Sequence, residues 1–194
     1  MAVQLHWMSA MNTVEPLMAW EMGPNYPRWS ETLRDERKVL IRPVCKADAG
    51  SERAFIAALS PEGRRYRFLG QMSKPSAELI AQLTDLDYDH EVAFAAVDEA
   101  GTSGAFVAVG RYSSNANGSE CECAVSVLES WQHQGLGTVL MNHLIDVARA
   151  RGVKSMWSVD SPHNTNMAEL AHSLGFSRRR YPGDPTLVLH ELWL

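Results

Sequence analysis

Cysteine is scarce in this sequence, and so are long apolar runs. The three cysteines, Cys45, Cys121 and Cys123, are too few for the disulfide scaffold of a small secreted protein. Cys121 and Cys123 form a C-x-C pair rather than the C-x-x-C pair typical of zinc and redox sites. We therefore expect reduced thiols and a cytoplasmic location. No apolar run is long enough to cross a bilayer, which argues against a membrane protein.

An excess of positive charge is also lacking. The 194 residues include 18 Lys and Arg against 23 Asp and Glu, which gives a net charge of −5. Nucleic-acid-binding proteins usually carry a basic face, so we expect no nucleic-acid partner. The apolar fraction of 45% is typical of a globular domain. The seven histidines lie far apart without ligand spacing, and no metal site is predicted.

The N-terminal segment contains neither lysine nor arginine. Residues 1–27 carry five of the nine methionines but no Lys or Arg, which argues against a secretory signal or a transit peptide. We predict that residues 1–36 form a mobile or loosely packed extension and that residues 37–194 form one domain. The alternative is an arm bearing Trp7, Trp20 and Trp29 that docks on a partner or on the domain.

Strand and helix patterns alternate from residue 38 onward. Predicted strands cover residues 38–44, 91–97, 105–113, 120–128, 155–159 and 187–194. Predicted helices cover residues 48–59, a stretch capped by Ser76, a long stretch that stops at Gly152, and a stretch that stops at Gly175. Hairpins come first and a β-α-β unit follows. This order predicts a mixed α/β fold, with one twisted sheet of six to seven strands and helices on both faces.

The first segment with chemical potential joins a strand to a helix. In Gln132-x-x-Gly135-x-Gly137, the glycines allow a tight turn and leave unpaired amides at the start of a helix. Such amides, together with the helix dipole, favour a phosphate or pyrophosphate. The alternative is a glycine-rich helix start selected for close packing.

A second segment lies downstream and begins with Asn164. It reads Asn164-x-x-Met-x-x-Leu-x-x-x-x-Gly-Phe176, and Asn164 alone is an ordinary helix N-cap. The two segments together, with a helix and a strand between them, resemble the GNAT superfamily of N-acetyltransferases. The resemblance covers roughly residues 39–194 and implies the GNAT-like fold.

This resemblance also implies a cofactor site. In the family, the glycine loop holds the pyrophosphate of acetyl-CoA, the preceding strand pairs with the pantetheine arm, and the later helix lies beside the cofactor. The implied cofactor-binding residues are Val125, Val127, Gln132, His133, Gln134, Gly135, Leu136, Gly137, Thr138 and Asn164. Acetyl-CoA is then a cosubstrate. His133 alternatively is an exposed loop residue that contributes only its backbone.

A narrower resemblance concerns the strand before the loop. Cys121-Glu122-Cys123-Ala124-Val125 is similar to the Ala-Glu-Phe-Ala-Val pattern of bacterial Pat-type protein lysine acetyltransferases, and the upstream Leu40-Ile-Arg-Pro-Val also fits that group. The glutamate of the pattern is taken as the catalytic base, which implies that role for Glu122. The family tyrosine that protonates the leaving thiolate is replaced by Ala171.

The alternation of side chains along this strand also favours Glu122 as the candidate base. Along this strand Glu122, Ala124 and Ser126 point one way and the cysteines the other, so Glu122 stands among small residues with space for a substrate. The alternative is a carboxylate on a half-exposed strand face. Glu120 is a weaker candidate, and His172 reads as a surface histidine.

Three functions remain open at this point. The first is acetyl transfer from acetyl-CoA to a protein lysine, with Glu122 as general base. The second is the same chemistry on a small amine such as a polyamine or an amino acid, and the third is a non-catalytic acyl-CoA-binding module. No membrane partner is expected, and a homodimer is possible.

Overall fold

A computed structural model of the chain describes residues 27–69, 74–101 and 104–194. The strands of these residues form one sheet in the order β1-β2-β3-β4-β5-β6-β8-β7. The strands are β1 (Trp29–Thr32), β2 (Lys38–Pro43), β3 (Glu91–Asp98), β4 (Phe106–Ser114), β5 (Glu120–Val127), β6 (Ser155–Asp160), β7 (Ser177–Arg180) and β8 (Val188–Trp193). The helices are α1 (Ala49–Ala58), α2 (Pro61–Phe68), α3 (Ala77–Thr84), α4 (Leu136–Ala150) and α5 (Thr165–Ser173).

Helices cover both faces of this sheet, as predicted. The central strand β3 shows it most clearly, because its residues are buried on both sides. Phe94 belongs to a core cluster with Leu140 and Leu144 of α4, whereas Ala95 belongs to a second cluster with Phe55 of α1. The predicted α/β fold with one mixed sheet is confirmed.

The helix ends follow ordinary capping chemistry. The Ser76 hydroxyl accepts the Leu79 N–H at 3.1 Å at the start of α3, and the Ser60 hydroxyl accepts the Gly63 N–H at 3.0 Å at the start of α2. The glycine predicted to stop the long helix, Gly152, follows α4 with a φ of +77°. Within the described ranges, none of the helices has both the length and the apolar character needed to span a bilayer.

Within the described residues the sheet has eight strands rather than six or seven, because two short edge strands carried no clear signal. β7 is Ser177–Arg180, whose residues are all exposed, so it lacks the apolar alternation that identifies a strand. β1 lies at the opposite edge and pairs with β2 from Trp29 opposite Ile41 to Thr32 opposite Lys38.

Residues 29–36 were predicted to belong to the extension, but β1 pairs with β2 and the segment that follows it packs against the domain. The Trp29 ring stacks on His143 of α4 with centroids 4.1 Å apart, and His143 Nε2 lies 2.9 Å from Glu31 Oε1. Leu33 is buried in the main core. These residues belong to the domain because they cover part of α4. The extension predicted for residues 1–26 lies outside the described residues.

Candidate active site

The sheet opens between its two parallel strands. β5 and β6 pair at three positions, Glu120–Ser155, Cys121–Met156 and Glu122–Trp157. Beyond them β5 stays paired with β4 as far as Val127, and β6 stays paired with β8 as far as Asp160. The two strands diverge after Glu122, and a cleft of about 520 Å³ opens at this point, which we call the β5–β6 cleft.

Backbone groups of β5 face this cleft. Leu128, just past the strand, donates its N–H to Val107 of β4 at 3.0 Å. Alternate residues of an antiparallel strand direct their backbone groups to the same neighbour, so those of Val125 and Val127 point to the other side. The Val127 carbonyl accepts Gln132 Nε2 at 3.0 Å. The N–H groups of Val125 and Val127 are thus placed where an extended ligand could pair with them.

The start of α4 forms one end of the cleft. Gly135 is the N-cap, with a φ of +87° and no side-chain cap, and the first turn contains no acidic residue. The N–H groups of Leu136, Gly137 and Thr138 therefore have no partner within the helix. A helix N-terminus with free amides and no acidic residue in its first turn favours an anion.

Close packing also explains one of the two glycines. A Cβ on Gly137 would lie 3.3 Å from Leu170 Cδ2 and 3.8 Å from Val127 Cγ2. The packing interpretation of the glycine loop therefore applies to this residue, and its contact with a pyrophosphate stays a prediction. A bulky substitution there would disturb the contact between α4 and α5 as well as any ligand.

The loop before α4 holds its shape through Gln132. Its amide bridges β5 and α5, because Oε1 accepts Asn166 Nδ2 at 3.2 Å while Nε2 donates to Val127. His133 lines the cleft in a left-handed conformation with a φ of +61°. Gln134 does not line the cleft, but its carbonyl accepts the Arg34 N–H at 3.2 Å.

Asn164 borders the cleft from the far strand. Its Oδ1 accepts the Met167 N–H at 3.2 Å as the N-cap of α5, and its Nδ2 donates to Asp160 at 3.0 Å. Burial raises the pKa of Asp160, while the bonds from Asn164 oppose that rise. The Asn164 amide is thus used within the protein, and its contact with a cofactor stays a prediction.

Glu122 lies where the two strands part. It projects from the sheet between the β5–β6 cleft and a second cavity of about 230 Å³, and it lines both. The side chains along β5 alternate between the core and the cleft side, as predicted. Cys121 and Cys123 are buried in the main core, while Glu122 is exposed and Ala124 and Ser126 are partly exposed.

Sequence reasoning missed a cation beside this glutamate. Arg67, on α2, lines both cavities together with Glu122. Partial burial raises the pKa of Glu122 although its side chain is exposed to the cleft, and the Arg67 charge opposes that rise. Burial and the neighbouring Arg111 lower the pKa of Arg67 itself to about 10, so it remains charged at neutral pH. The signal for α2 was present as Ser60-Pro61, an N-cap followed by proline at the first helical position.

Three further positions lie away from the cleft. Glu120 and His172 line neither cavity, and both are exposed. Ala171, at the family tyrosine position, is 1% exposed and packs in the main core. Among the candidate bases named from the sequence, Glu122 is the one that the structure places in the cleft.

The comparisons with known proteins agree with this geometry. Residues 54–176 match the family model described as the acetyltransferase (GNAT) family. The chain is 45% identical over 166 residues to "Acetyltransferase PA5475" of Pseudomonas aeruginosa, which spans 86% of this chain and 89% of that protein. It is also 39% identical over 61 residues to the ribosomal protein bS18 alanine N-acetyltransferase of Escherichia coli, covering 29% of this chain and 41% of that protein.

Solved structures give the same result. The GNAT domain of S. lividans PAT superposes with a TM-score of 0.79 at 27% identity, covering 87% of this chain and 99% of that domain. A cAMP-binding acyltransferase from Mycobacterium smegmatis shares the fold, with a TM-score of 0.60 at 22% identity over 86% of this chain and 47% of that one. The chain belongs to the GNAT family of acetyltransferases, which use acetyl-CoA as cosubstrate.

Proposed function

We propose that this enzyme transfers the acetyl group of acetyl-CoA to a lysine side chain of a protein, with Glu122 as general base. The observation that carries the proposal is the position of Glu122 at the point where β5 and β6 part. From there the cleft leads along β5 to the free amides of α4. A carboxylate and the free amides of a helix N-terminus thus lie at opposite ends of one cleft, which supports the proposal.

The dimensions of the cleft fit an extended thioester. Glu122 and Val127 are five residues apart on a strand, which separates them by roughly 17 Å. A pantetheine arm can lie along this distance and pair with the N–H groups of Val125 and Val127. The pyrophosphate would then meet the amides of residues 135–138, and the predicted contacts of Gln132, His133 and Asn164 belong to the same arrangement. Gln134, which does not line the cleft, has no contact in it.

Glu122 has a defined chemical task in this proposal. A lysine amine has a pKa about 3.4 units above neutral pH, so freeing it of its proton costs roughly 4.6 kcal/mol. Glu122 accepts that proton directly or through a water, and burial raises the pKa of its carboxyl toward the working range of a base. The neutral amine then attacks the acetyl carbonyl, and an N–H of Val125 or Val127 polarises the carbonyl oxygen. The C–S bond then breaks and CoA leaves as a thiolate, which takes the second proton of the attacking nitrogen to give the thiol and the amide. No tyrosine acid is required, because a thiolate is a stable leaving group.

The proposed acceptor rests on similarity. The GNAT domain of S. lividans PAT is 27% identical over its whole length, and the Pat-type pattern around Glu122 was found from the sequence alone. Both observations favour a protein lysine as the acceptor.

One observation favours a small amine instead. The second cavity, which meets the cleft at Glu122, is small at about 230 Å³, and its charged lining residues are Glu91, Glu122, Arg67 and Arg111. Its size suits a compact amine better than a folded protein surface. A small-molecule amine acceptor therefore remains the second candidate.

An acetyl-transfer assay separates the two acceptors. The wild-type enzyme is incubated with radiolabelled acetyl-CoA and either a panel of cell proteins or a panel of polyamines and amino acids, with Glu122→Gln as the matched control. We expect label on protein lysines, located by mass spectrometry, that is lost with the variant. Label only on small amines would favour the second candidate, and no transfer despite CoA binding would contradict both.

A further inference from the structure

The turn between β1 and β2 docks directly on the glycine loop. This turn, residues 33–37, is closed by a 2.8 Å hydrogen bond from Leu33 N–H to the Arg37 carbonyl. Arg34 donates its backbone N–H to Gln134, and Arg37 donates Nη2 to the Ser130 carbonyl at 3.0 Å. These bonds hold the turn against both sides of the loop.

Arg37 adds a third contact with the loop and forms an ion pair with Asp35. Its guanidinium lies 3.8 Å from the centre of the Trp131 ring and 2.6 Å from Asp35 Oδ2. Glu31, at the end of β1, faces His143 instead. Both carboxylates are therefore engaged with groups other than Arg34.

Arg34 is left as a cation directed at the loop. Its side chain lines the β5–β6 cleft, and its Nε lies 3.7 Å from the position that a Cβ on Gly135 would occupy. Among the residues that the structure describes, no carboxylate lies within ion-pair distance of its guanidinium. The other arginine on the described cleft wall, Arg67, stands beside Glu122 at the opposite end.

We infer that Arg34 binds a phosphate of CoA beside the N-terminus of α4. A guanidinium presents paired N–H donors that match phosphate oxygens, and here it would act on the same anion as the helix amides. The role of Arg34 rests on the proposed function, since it needs CoA in this cleft. It also gives β1 a role in binding, because β1 carries the turn that supplies the cation.

The test is the affinity of CoA measured by calorimetry with Arg34→Gln. Arg28→Gln is the matched control, because Arg28 is exposed on the same segment but does not line the cleft. We expect a roughly 10- to 100-fold weaker affinity with Arg34→Gln and an unchanged affinity with Arg28→Gln. Arg34→Lys should recover part of the lost affinity, since lysine keeps the positive charge but lacks the paired N–H donors of the guanidinium. Circular dichroism and thermal unfolding check that the variants are folded.

A comparison of CoA with 3′-dephospho-CoA identifies which phosphate of the ligand Arg34 contacts. Equal losses for CoA and 3′-dephospho-CoA assign Arg34 to the pyrophosphate, whereas a loss confined to CoA assigns it to the 3′-phosphate. An unchanged CoA affinity in folded Arg34→Gln would overturn the inference and leave the proposed function intact. Absence of CoA binding by the wild-type protein would instead refute the proposed function.

Discussion

Two parts of the sheet differ in how completely their strands pair. We call the part around β3 and β4 the closed half and the part around β5 and β6 the open half. β3 and β4 pair at seven positions, and β3 is buried on both faces by two apolar clusters. β5 and β6 pair at three positions and then separate. Backbone amides that would be costly to leave unpaired in the first half are left open to a cleft in the second. The closed half supplies stability, and the open half supplies the place where a ligand can complete the pairing.

The closed and open halves also differ in the surroundings of one glutamate in each. Glu52, on α1 over the closed half, is 3% exposed and lies 3.2 Å from Arg111. The carboxylate of Glu122, in the open half, has no hydrogen bond or ion pair within the part of the chain that the structure describes. Burial raises the pKa of both carboxyls. A raised pKa alone therefore does not identify a base, and access to the cleft distinguishes Glu122 from Glu52.

The largest effect on stability should come from breaking the pair in the closed half. Glu52→Ala leaves Arg111 buried without its partner, which should lower the free energy of unfolding by about 3–5 kcal/mol. Glu78→Ala, at an exposed site on α3, is the control and should cost less than about 1 kcal/mol. Urea unfolding measures both. Equal stabilities would mean that the Glu52–Arg111 pair contributes nothing to the closed half.

The edge strand β1 should have the next largest effect. A chain that starts at Glu31 lacks Trp29, which stacks on His143 and packs edge-on against Phe94 at 5.3 Å. We expect it to lose about 3 kcal/mol of stability relative to a chain that starts at Pro27 and keeps Trp29. Thermal and urea unfolding compare the two. If they are equally stable, β1 is not an integral part of the domain.

Asp48 provides a smaller and pH-dependent effect. Burial raises the pKa of Asp48, but two hydrogen bonds from Arg42, of 2.7 and 2.8 Å, and the Cys45 N–H outweigh it and keep that pKa below its usual value. This contribution to stability is present above the pKa of the unfolded chain and is lost as the pH falls through the folded pKa.

Asp48→Asn should therefore cost about 2 kcal/mol at pH 7 and less as the solution is acidified. Asp85→Asn is the control, because the Lys46–Asp85 pair is solvent-exposed and should contribute less than about 1 kcal/mol. Urea unfolding at several pH values measures the difference. A cost independent of pH would contradict the stated cause.

The smallest predicted effect is a shift in the pH dependence of the reaction when Arg67, in the open half, is replaced. Arg67→Met removes the charge that opposes protonation of Glu122, so the pKa of Glu122 should rise further. The acidic limb of kcat/KM should then move to higher pH, because the base must be deprotonated. Arg65→Met, on the same helix but outside both cavities, should leave the limb in place. Identical profiles would mean that Arg67 does not act on the titrating group.

Patterns along the chain predicted much of the fold and part of the site. The apolar stripe of α4, the cap at Ser76 and the alternation along β5 are local, and the structure has them where they were expected. The order of these elements, with Gln132-x-x-Gly135-x-Gly137 between strand and helix, was enough to identify the family and to place Glu122.

The missed features depend on contacts between distant segments. β1 is four residues long and gains its stability from His143 and Phe94, more than 60 residues away in sequence. The point where β5 and β6 separate depends on how the two strands pair, so it cannot be predicted from the sequence of either strand alone. Arg34 and Arg67 resemble surface arginines in sequence, and only the fold brings them to the cleft.

The central claim is that Glu122 takes the proton of the acceptor amine, and Glu122→Gln tests it most directly. The variant keeps the volume of the side chain but cannot accept a proton. We expect unchanged stability and CoA affinity, a loss of about 10²–10⁴-fold in kcat, a flattened acidic limb and partial recovery of the rate at high pH. Near-normal turnover of the variant at neutral pH would contradict the claim.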